Sequence, residues 1–141
     1  MTLENLQNLV RVNQLKKEPP DQKEIDGLVR SATVRLRDAK NASLSPDSRF
    51  DLAYNAAHAL ALAAMRWHGY RSDKRYLVFQ CLSHTLGLDV AKTRVMALCH
   101  DKRNVAEYEG DLNIDGQLLE ELIQLSDELL TLVKALGPVQ P

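Results

Sequence analysis

The sequence has few of the residues that mark secreted, fibrous or membrane-spanning proteins. Its 141 residues include 2 cysteines, 6 glycines and 5 prolines, and only 5% are aromatic. Low glycine and proline argue against a fibrous or disordered chain. Cys81 and Cys99 without an apolar leader favour a reducing compartment over a disulfide-linked secreted module, so we predict a cytoplasmic protein. The longest apolar run, residues 56–65, is about half as long as a bilayer span and contains His58, so no membrane segment is expected.

The chain also lacks a global excess of positive charge. Lys and Arg number 18 against 19 Asp and Glu, giving a net charge of -1 and a pI near 6.4. Residues 66–103, however, carry eight Lys or Arg against three Asp or Glu, while residues 104–141 are acidic apart from Lys134. Any site for an anion must therefore be local, and the basic middle of the chain is where it is expected.

Alternating apolar and polar runs are missing, and helical periodicity lies between stop signals throughout. Asp21 and Ser45-Pro46 are N-terminal capping signals, and Gly87 and Gly137 are C-terminal ones. The pattern predicts an all-α, up-and-down bundle of five to six helices. The helices are expected at about residues 3–10, 21–41, 45–69 and 74–86, then a fifth after Gly87 that ends at about Tyr108, and a last one at about 116–136. Leucines spaced by four and three along the last helix are typical of a core helix or of a dimer seam.

The third predicted helix is rich in alanine and apolar nearly all round, which is typical of a central helix. Its polar residues Asp51, Asn55, His58 and Arg66 fall within an arc of about 80°. This stripe is either the only wetted edge of the helix or the floor of a polar groove.

The fifth predicted helix carries a second polar stripe. His100, Arg103, Asn104 and Glu107 fall within an arc of about 100°. His100 could exchange protons near neutral pH, Arg103 could hold a phosphate, and Glu107 could orient either. Alternatively, this is an exposed face on which Arg103 and Glu107 form an i, i+4 ion pair.

Two passages resemble the HEPN family (higher eukaryotes and prokaryotes nucleotide-binding), small helical bundles found in toxin–antitoxin pairs, nucleotidyltransferase partners and RNases. The segment RFDLAYNAAH at 49–58, with GYR at 69–71, looks like the first core helix of the family. The segment RNVAEYEG at 103–110 resembles the one that holds its defining Arg, polar residue and His. The resemblance implies a HEPN-like bundle over residues 45–137, preceded by an N-terminal helical extension over residues 1–44.

In catalytic members, a His separated from the Arg by four to six residues takes part in metal-independent RNA cleavage at a dimer interface. The corresponding positions here are Tyr108, Glu109 and Gly110, so the catalytic motif is degenerate. Because tyrosine is a poor base at neutral pH, the resemblance implies binding of a nucleotide or RNA rather than catalysis. The expected ligand contacts come from both stripes and the end of the motif: Arg103, Asn104, Glu107, Tyr108, Asn55 and His58.

Two alternatives remain open. One is an RNase in which His100 or His58 substitutes for the missing histidine beside Arg103. The other is a helical scaffold without a ligand. The resemblance further implies a homodimer, with a nucleotidyltransferase or an antitoxin as a further partner, and no cofactor.

Two arrangements imitate metal sites. Asp111, Asn113, Asp115 and Gly116 match the first half of a calcium loop, but Leu122 stands where a bidentate Glu is required. Cys81, His84, Cys99 and His100 have zinc-ligand chemistry, but adjacent residues on one helix point about 100° apart. We therefore predict no metal site.

Overall fold

A computed structural model describes residues 2–12, 14–110 and 114–139, so Asp111 and Asn113 of the calcium-like loop lie outside the described residues. The all-α prediction is confirmed, and two very short strands are added to it. The elements are α1 Thr2–Arg11, β1 Lys16–Lys17, α2 Gln22–Ala39, α3 Pro46–Trp67, β2 Tyr70–Arg71, α4 Arg75–Gln80, α5 Leu82–Thr85, α6 Val90–Glu109 and α7 Gly116–Ala135.

Each long helix begins at a side chain that caps its free backbone N–H groups. Asp21 accepts from the backbone N–H of Lys23, and Ser45 accepts from that of Ser48. Asp89 and Asp115 do the same at the starts of α6 and α7. Such caps stabilise a helix by about 1 kcal/mol each, so local chemistry fixes these starting points.

The fourth predicted helix is interrupted. α4 ends at Gln80, a turn at Cys81 follows, and α5 continues from Leu82 to Thr85. Gly87, at φ 68°, adopts the left-handed backbone that ends the segment. α4 packs on α6, whereas α5 contacts α1.

Hydrogen bonds from side chains to backbone carbonyls of other segments show the direction of the bundle helices. Arg49, near the start of α3, donates to the carbonyl of Ala39 at the end of α2. Ser126 of α7 donates to the carbonyl of Ala53, and Trp67 donates to the carbonyl of Gly137 beyond α7. α2 and α3 are therefore antiparallel, and α3 and α7 are parallel.

α3 lies at the centre of the core, as its alanine content predicts. The buried residues of this helix include Ala53, Ala56, Ala57, Ala63 and Ala64. Small side chains let α2 and α7 approach its backbone closely. The leucine seam of α7 packs in this core, since Leu118, Leu122, Leu125 and Leu129 are all buried within the single chain.

The segment before residue 45 contributes to the same core. Leu6, Leu15, Ile25 and Leu36 are buried in one cluster with the residues of α3. β1 pairs antiparallel with β2, which places Lys16 opposite Arg71. Among the described residues, no helix is long and apolar enough to cross a bilayer.

Candidate functional site

The polar stripes of α3 and α6 face each other within one chain. The hydroxyl of Tyr54 lies 2.9 Å from Nδ1 of His100, and Asp51 Oδ1 lies 3.5 Å from Nε of Arg103. We call the joined surface the α3–α6 polar face. Its side chains are Asp51, Tyr54, Asn55, His58, Arg75, His100, Arg103, Asn104 and Glu107.

Tyr54 anchors this face from the core. Its ring is fully buried, lies 6.4 Å from the ring of Phe50, and meets Phe79 edge-on at 5.6 Å. Burial raises the pKa of its hydroxyl above 10.0, although the nearby Arg75 opposes the shift. Tyr54 therefore presents a neutral hydroxyl at the boundary between core and polar face.

His100 is held on both sides of its ring. The side-chain amide of Asn104 donates to Nε2 at 3.1 Å, and Tyr54 binds Nδ1. Because a neutral imidazole has one donor and one acceptor, Nδ1 carries the proton and donates to the Tyr54 oxygen. Burial lowers the pKa of His100, Asp101 opposes this, and Arg75 and Arg103 reinforce it.

His58 lies one turn beyond Tyr54, with its ring edge-on to Phe79 at 5.7 Å. Burial lowers its pKa to about 4, and the positive charges of Arg75 and Arg103 act in the same direction. His58 is therefore neutral at pH 7. Among the described residues, its ring has no hydrogen-bond partner.

The Arg103 guanidinium lies 4.9 Å from the centre of the Tyr54 ring, and Nη1 lies 2.8 Å from Oε1 of Glu107. The side chain is 24% exposed. The i, i+4 ion pair between Arg103 and Glu107, which the spacing predicted as an alternative, is thus present. Asp51 adds a second, longer contact with Arg103. Both carboxylates are more than half exposed, so each pair contributes at most about 1 kcal/mol.

Arg75 belongs to this face although neither stripe contains it. Its guanidinium lies 5.6 Å from the Tyr54 ring centre, and Nη1 donates to Oδ1 of Asn55 at 3.2 Å. The short helix α4 brings it there because Val78 and Phe79 bury against the bundle. In the sequence, Arg75 is indicated only by its position within the basic middle of the chain.

Two residues lie apart from this face, Arg66 of the α3 stripe and Tyr108, which the resemblance implied as a ligand contact. Arg66 shares the α3 stripe, but it is buried at the far end of the helix, where its Nε donates to Glu24 at 2.7 Å. It therefore forms no part of the groove floor. Tyr108 is 90% exposed, and among the described residues its side chain makes no hydrogen bond or ring pair with the face. Asn55, His58, His100, Arg103, Asn104 and Glu107 are brought together.

The face combines cationic hydrogen-bond donors with neutral imidazoles. Two guanidiniums offer planar donors, while both imidazoles are neutral at pH 7 and His100 is engaged at both nitrogens. Proton transfer would require releasing His100 from Tyr54 or Asn104.

The zinc-like set is dispersed. His84 Nδ1 contacts Asn5 at 3.3 Å, whereas His100 contacts Tyr54. Burial raises the pKa of Cys81 to about 11 and that of Cys99 to about 12, so both thiols are protonated. No three His, Cys, Asp or Glu side chains of the described residues are grouped to hold a metal.

Comparison of the chain with protein-family models, with curated proteins and with solved structures found no match.

Proposed function

We propose that this protein is a HEPN-like module that binds a nucleotide or RNA on the α3–α6 polar face. One observation carries the proposal: Arg75 and Arg103 lie 5.6 and 4.9 Å from the same Tyr54 ring, with the amides of Asn55 and Asn104 beside them. A planar guanidinium suits a phosphate or a base edge, and an amide suits a base or a ribose hydroxyl.

The face has capacity left for a ligand. Among the described residues nothing donates to Oδ1 of Asn104, and no carboxylate pairs with Arg75. Arg103 is engaged by Asp51 and Glu107, but exposed pairs of this kind are worth about 0–1 kcal/mol. A phosphate, which accepts charge-assisted hydrogen bonds from the same guanidinium, can displace a carboxylate at little cost.

The resemblance supports a homodimer that acts with a nucleotidyltransferase or an antitoxin-like partner in the cytoplasm. Two free, buried thiols support a reducing compartment. In a dimer, the exposed edge of the polar face would line a groove shared by two subunits. Light scattering coupled to gel filtration tests this, with twice the 15.9 kDa chain mass expected.

The decisive experiment compares Arg103→Ala with Arg94→Ala in fluorescence anisotropy on a labelled single-stranded RNA. Arg94 is the matched control because it is exposed on the same helix and carries the same charge. We expect saturable binding that Arg103→Ala weakens about 10-fold and Arg94→Ala leaves within about 2-fold, since a charge-assisted phosphate contact contributes on the order of 1.5 kcal/mol.

Electrophoresis of the same RNA after incubation separates the alternatives. Arginine-dependent cleavage would favour the RNase with a substituted histidine. No binding and no cleavage would leave the scaffold and refute the binding proposal. Equal loss in both variants would assign the affinity to diffuse charge and would also refute it.

A further inference from the structure

A cavity of about 310 Å³ adjoins the α3–α6 polar face and shares Arg75 and His58 with it. Three stretches of chain form its walls: residues 14–16 leading into β1, the α3 face with His58 and Leu62, and residues 71–75. The segment before α2 therefore forms one wall of the cavity. We call it the cationic cavity.

The lining is strongly positive. Lys16, Arg71, Lys74 and Arg75 contribute four cations, and Asp73 contributes the one carboxylate. Arg71 is neutralised, since Glu18 accepts from its Nε at 2.8 Å and Glu24 accepts from its other end. Within residues 2–12, 14–110 and 114–139, the other three cations have no carboxylate within ion-pair distance.

The strand register brings two of these charges together. Lys16 is the direct partner of Arg71 in the antiparallel β1–β2 pair. Because Glu18 and Glu24 neutralise Arg71, Lys16 is the member of this pair that brings a charge without a carboxylate partner, among the described residues, to the wall of the cavity.

His58 supplies a neutral polar group to the same wall. Its ring is partly buried and has no hydrogen-bond partner among the described residues. Burial and the two guanidiniums lower its pKa to about 4, so it can donate or accept a hydrogen bond without adding charge at pH 7.

Because the cavity combines several cations with a neutral imidazole, we propose that it binds the terminal phosphate monoester of a nucleotide or RNA. The remaining groups of that ligand lie on the α3–α6 polar face. This inference rests on the proposed function and adds the class of ligand. Arg75 joins the two surfaces, so one ligand can contact both.

Charge and size favour a chain end over an internal phosphodiester. A terminal monoester carries about two negative charges at neutral pH, whereas an internal phosphodiester carries about one. Three cations without carboxylate partners match the higher charge. The cavity volume is at the lower end of the usual range for small-ligand pockets, about 300–1,000 Å³, which suits one terminal group rather than a strand passing through.

The test uses isothermal titration calorimetry with one short RNA sequence in three forms: 5′-phosphorylated, 3′-phosphorylated, and with hydroxyls at both ends. The variant is the double substitution Lys16→Ala/Lys74→Ala. The matched control is Lys23→Ala/Lys134→Ala, which removes two exposed lysines that do not line the cavity.

We expect the unsubstituted protein to bind one phosphorylated form about 10-fold tighter than the hydroxyl form, and the identity of that form shows which end enters. The cavity variant should lose this preference while its affinity for the hydroxyl form stays within about 2-fold. The control variant should keep the preference.

The outcomes separate the two proposals. Binding of all three RNAs with equal affinity by the unsubstituted protein overturns the terminal-phosphate site and leaves the proposed function standing. A preference that survives in the cavity variant overturns the assignment of these lysines. Failure of every form to bind overturns both proposals.

Discussion

Burial and two guanidiniums determine the protonation of His58. Its pKa of about 4 in the folded chain lies below the ordinary 6.5 expected after unfolding. The unfolded chain therefore takes up a proton at a higher pH than the folded one. The stability that follows from a neutral His58 is complete above about pH 6.5 and is lost as the pH falls towards 4.

We accordingly predict that the free energy of unfolding falls by about 2 kcal/mol more in the unsubstituted protein than in His58→Gln between pH 7 and 4.5. Urea unfolding at both pH values measures it. Nuclear magnetic resonance titration of the His58 ring gives the pKa directly. Arg75→Gln should raise that pKa, whereas Arg94→Gln should not; titration near 6.5 in the unsubstituted chain would contradict the burial argument.

For individual residues, helical spacing predicted which side chains a single helix presents on one face. Asn55 and His58, and separately His100, Arg103 and Asn104, share a face because 3.6 residues complete a turn. Arg75 and Tyr54 were missed as site residues for a different reason. Tyr54 lies at the edge of a buried stripe, and Arg75 reaches the face from another helix, so both depend on tertiary packing.

Among the elements, the end of α3 is joined to the segment before α2 by Arg66, which is 1% exposed. Its guanidinium donates to Glu24 and to the carbonyls of Glu18, Pro19 and Tyr70. Burial alone would raise the pKa of Glu24, but hydrogen bonds and charge from Arg71 and Arg66 outweigh it and lower that pKa. This network holds Glu18 and Pro19 against the end of α3. The position of β1, and with it one wall of the cationic cavity, depends on that attachment.

Arg66→Met should therefore lower the free energy of unfolding by about 3 kcal/mol, because it leaves the carbonyls of Glu18, Pro19 and Tyr70 without this donor and removes one of the two guanidiniums that pair with Glu24. Arg37→Met is the matched control, because Arg37 is exposed and its one ion pair, with Asp38 at 3.5 Å among the described residues, is long. This substitution should lower the free energy of unfolding by less than about 1 kcal/mol. Urea unfolding compares the two. Similar small losses would show that the network is replaceable.

Element boundaries were predictable wherever a local signal sets them. Asp21 and Ser45 cap the helices that their side chains predict, and Gly137 follows the last one. The turn at Cys81 and the pairing of Lys16 with Arg71 were not predicted. Both depend on contacts between segments distant in sequence, which periodicity does not encode.

For the whole molecule, a near-neutral net charge of -1 hides a separation of charges. The basic residues of the middle of the chain supply Lys74, Arg75 and Arg103, and the strand pair adds Lys16 to them. The acidic carboxyl-terminal part contributes α7, whose Glu120 and Glu128 pair with Arg49 and Lys92. We therefore expect the attraction of RNA to be confined to the region of the polar face and the cavity.

That confinement predicts a weak salt dependence of RNA binding. For the phosphorylated RNA that binds more tightly, with Lys16, Lys74, Arg75 and Arg103 as the contacting cations, the logarithm of the association constant should fall against the logarithm of salt concentration with a slope of about -3, since each contact on a single strand contributes about -0.7. Anisotropy titrations at several salt concentrations measure the slope. Arg103→Ala should reduce its magnitude by about 0.7, and Arg94→Ala should not change it. A slope twice as steep, unaffected by Arg103→Ala, would mean that RNA is held by charges outside the polar face and the cavity.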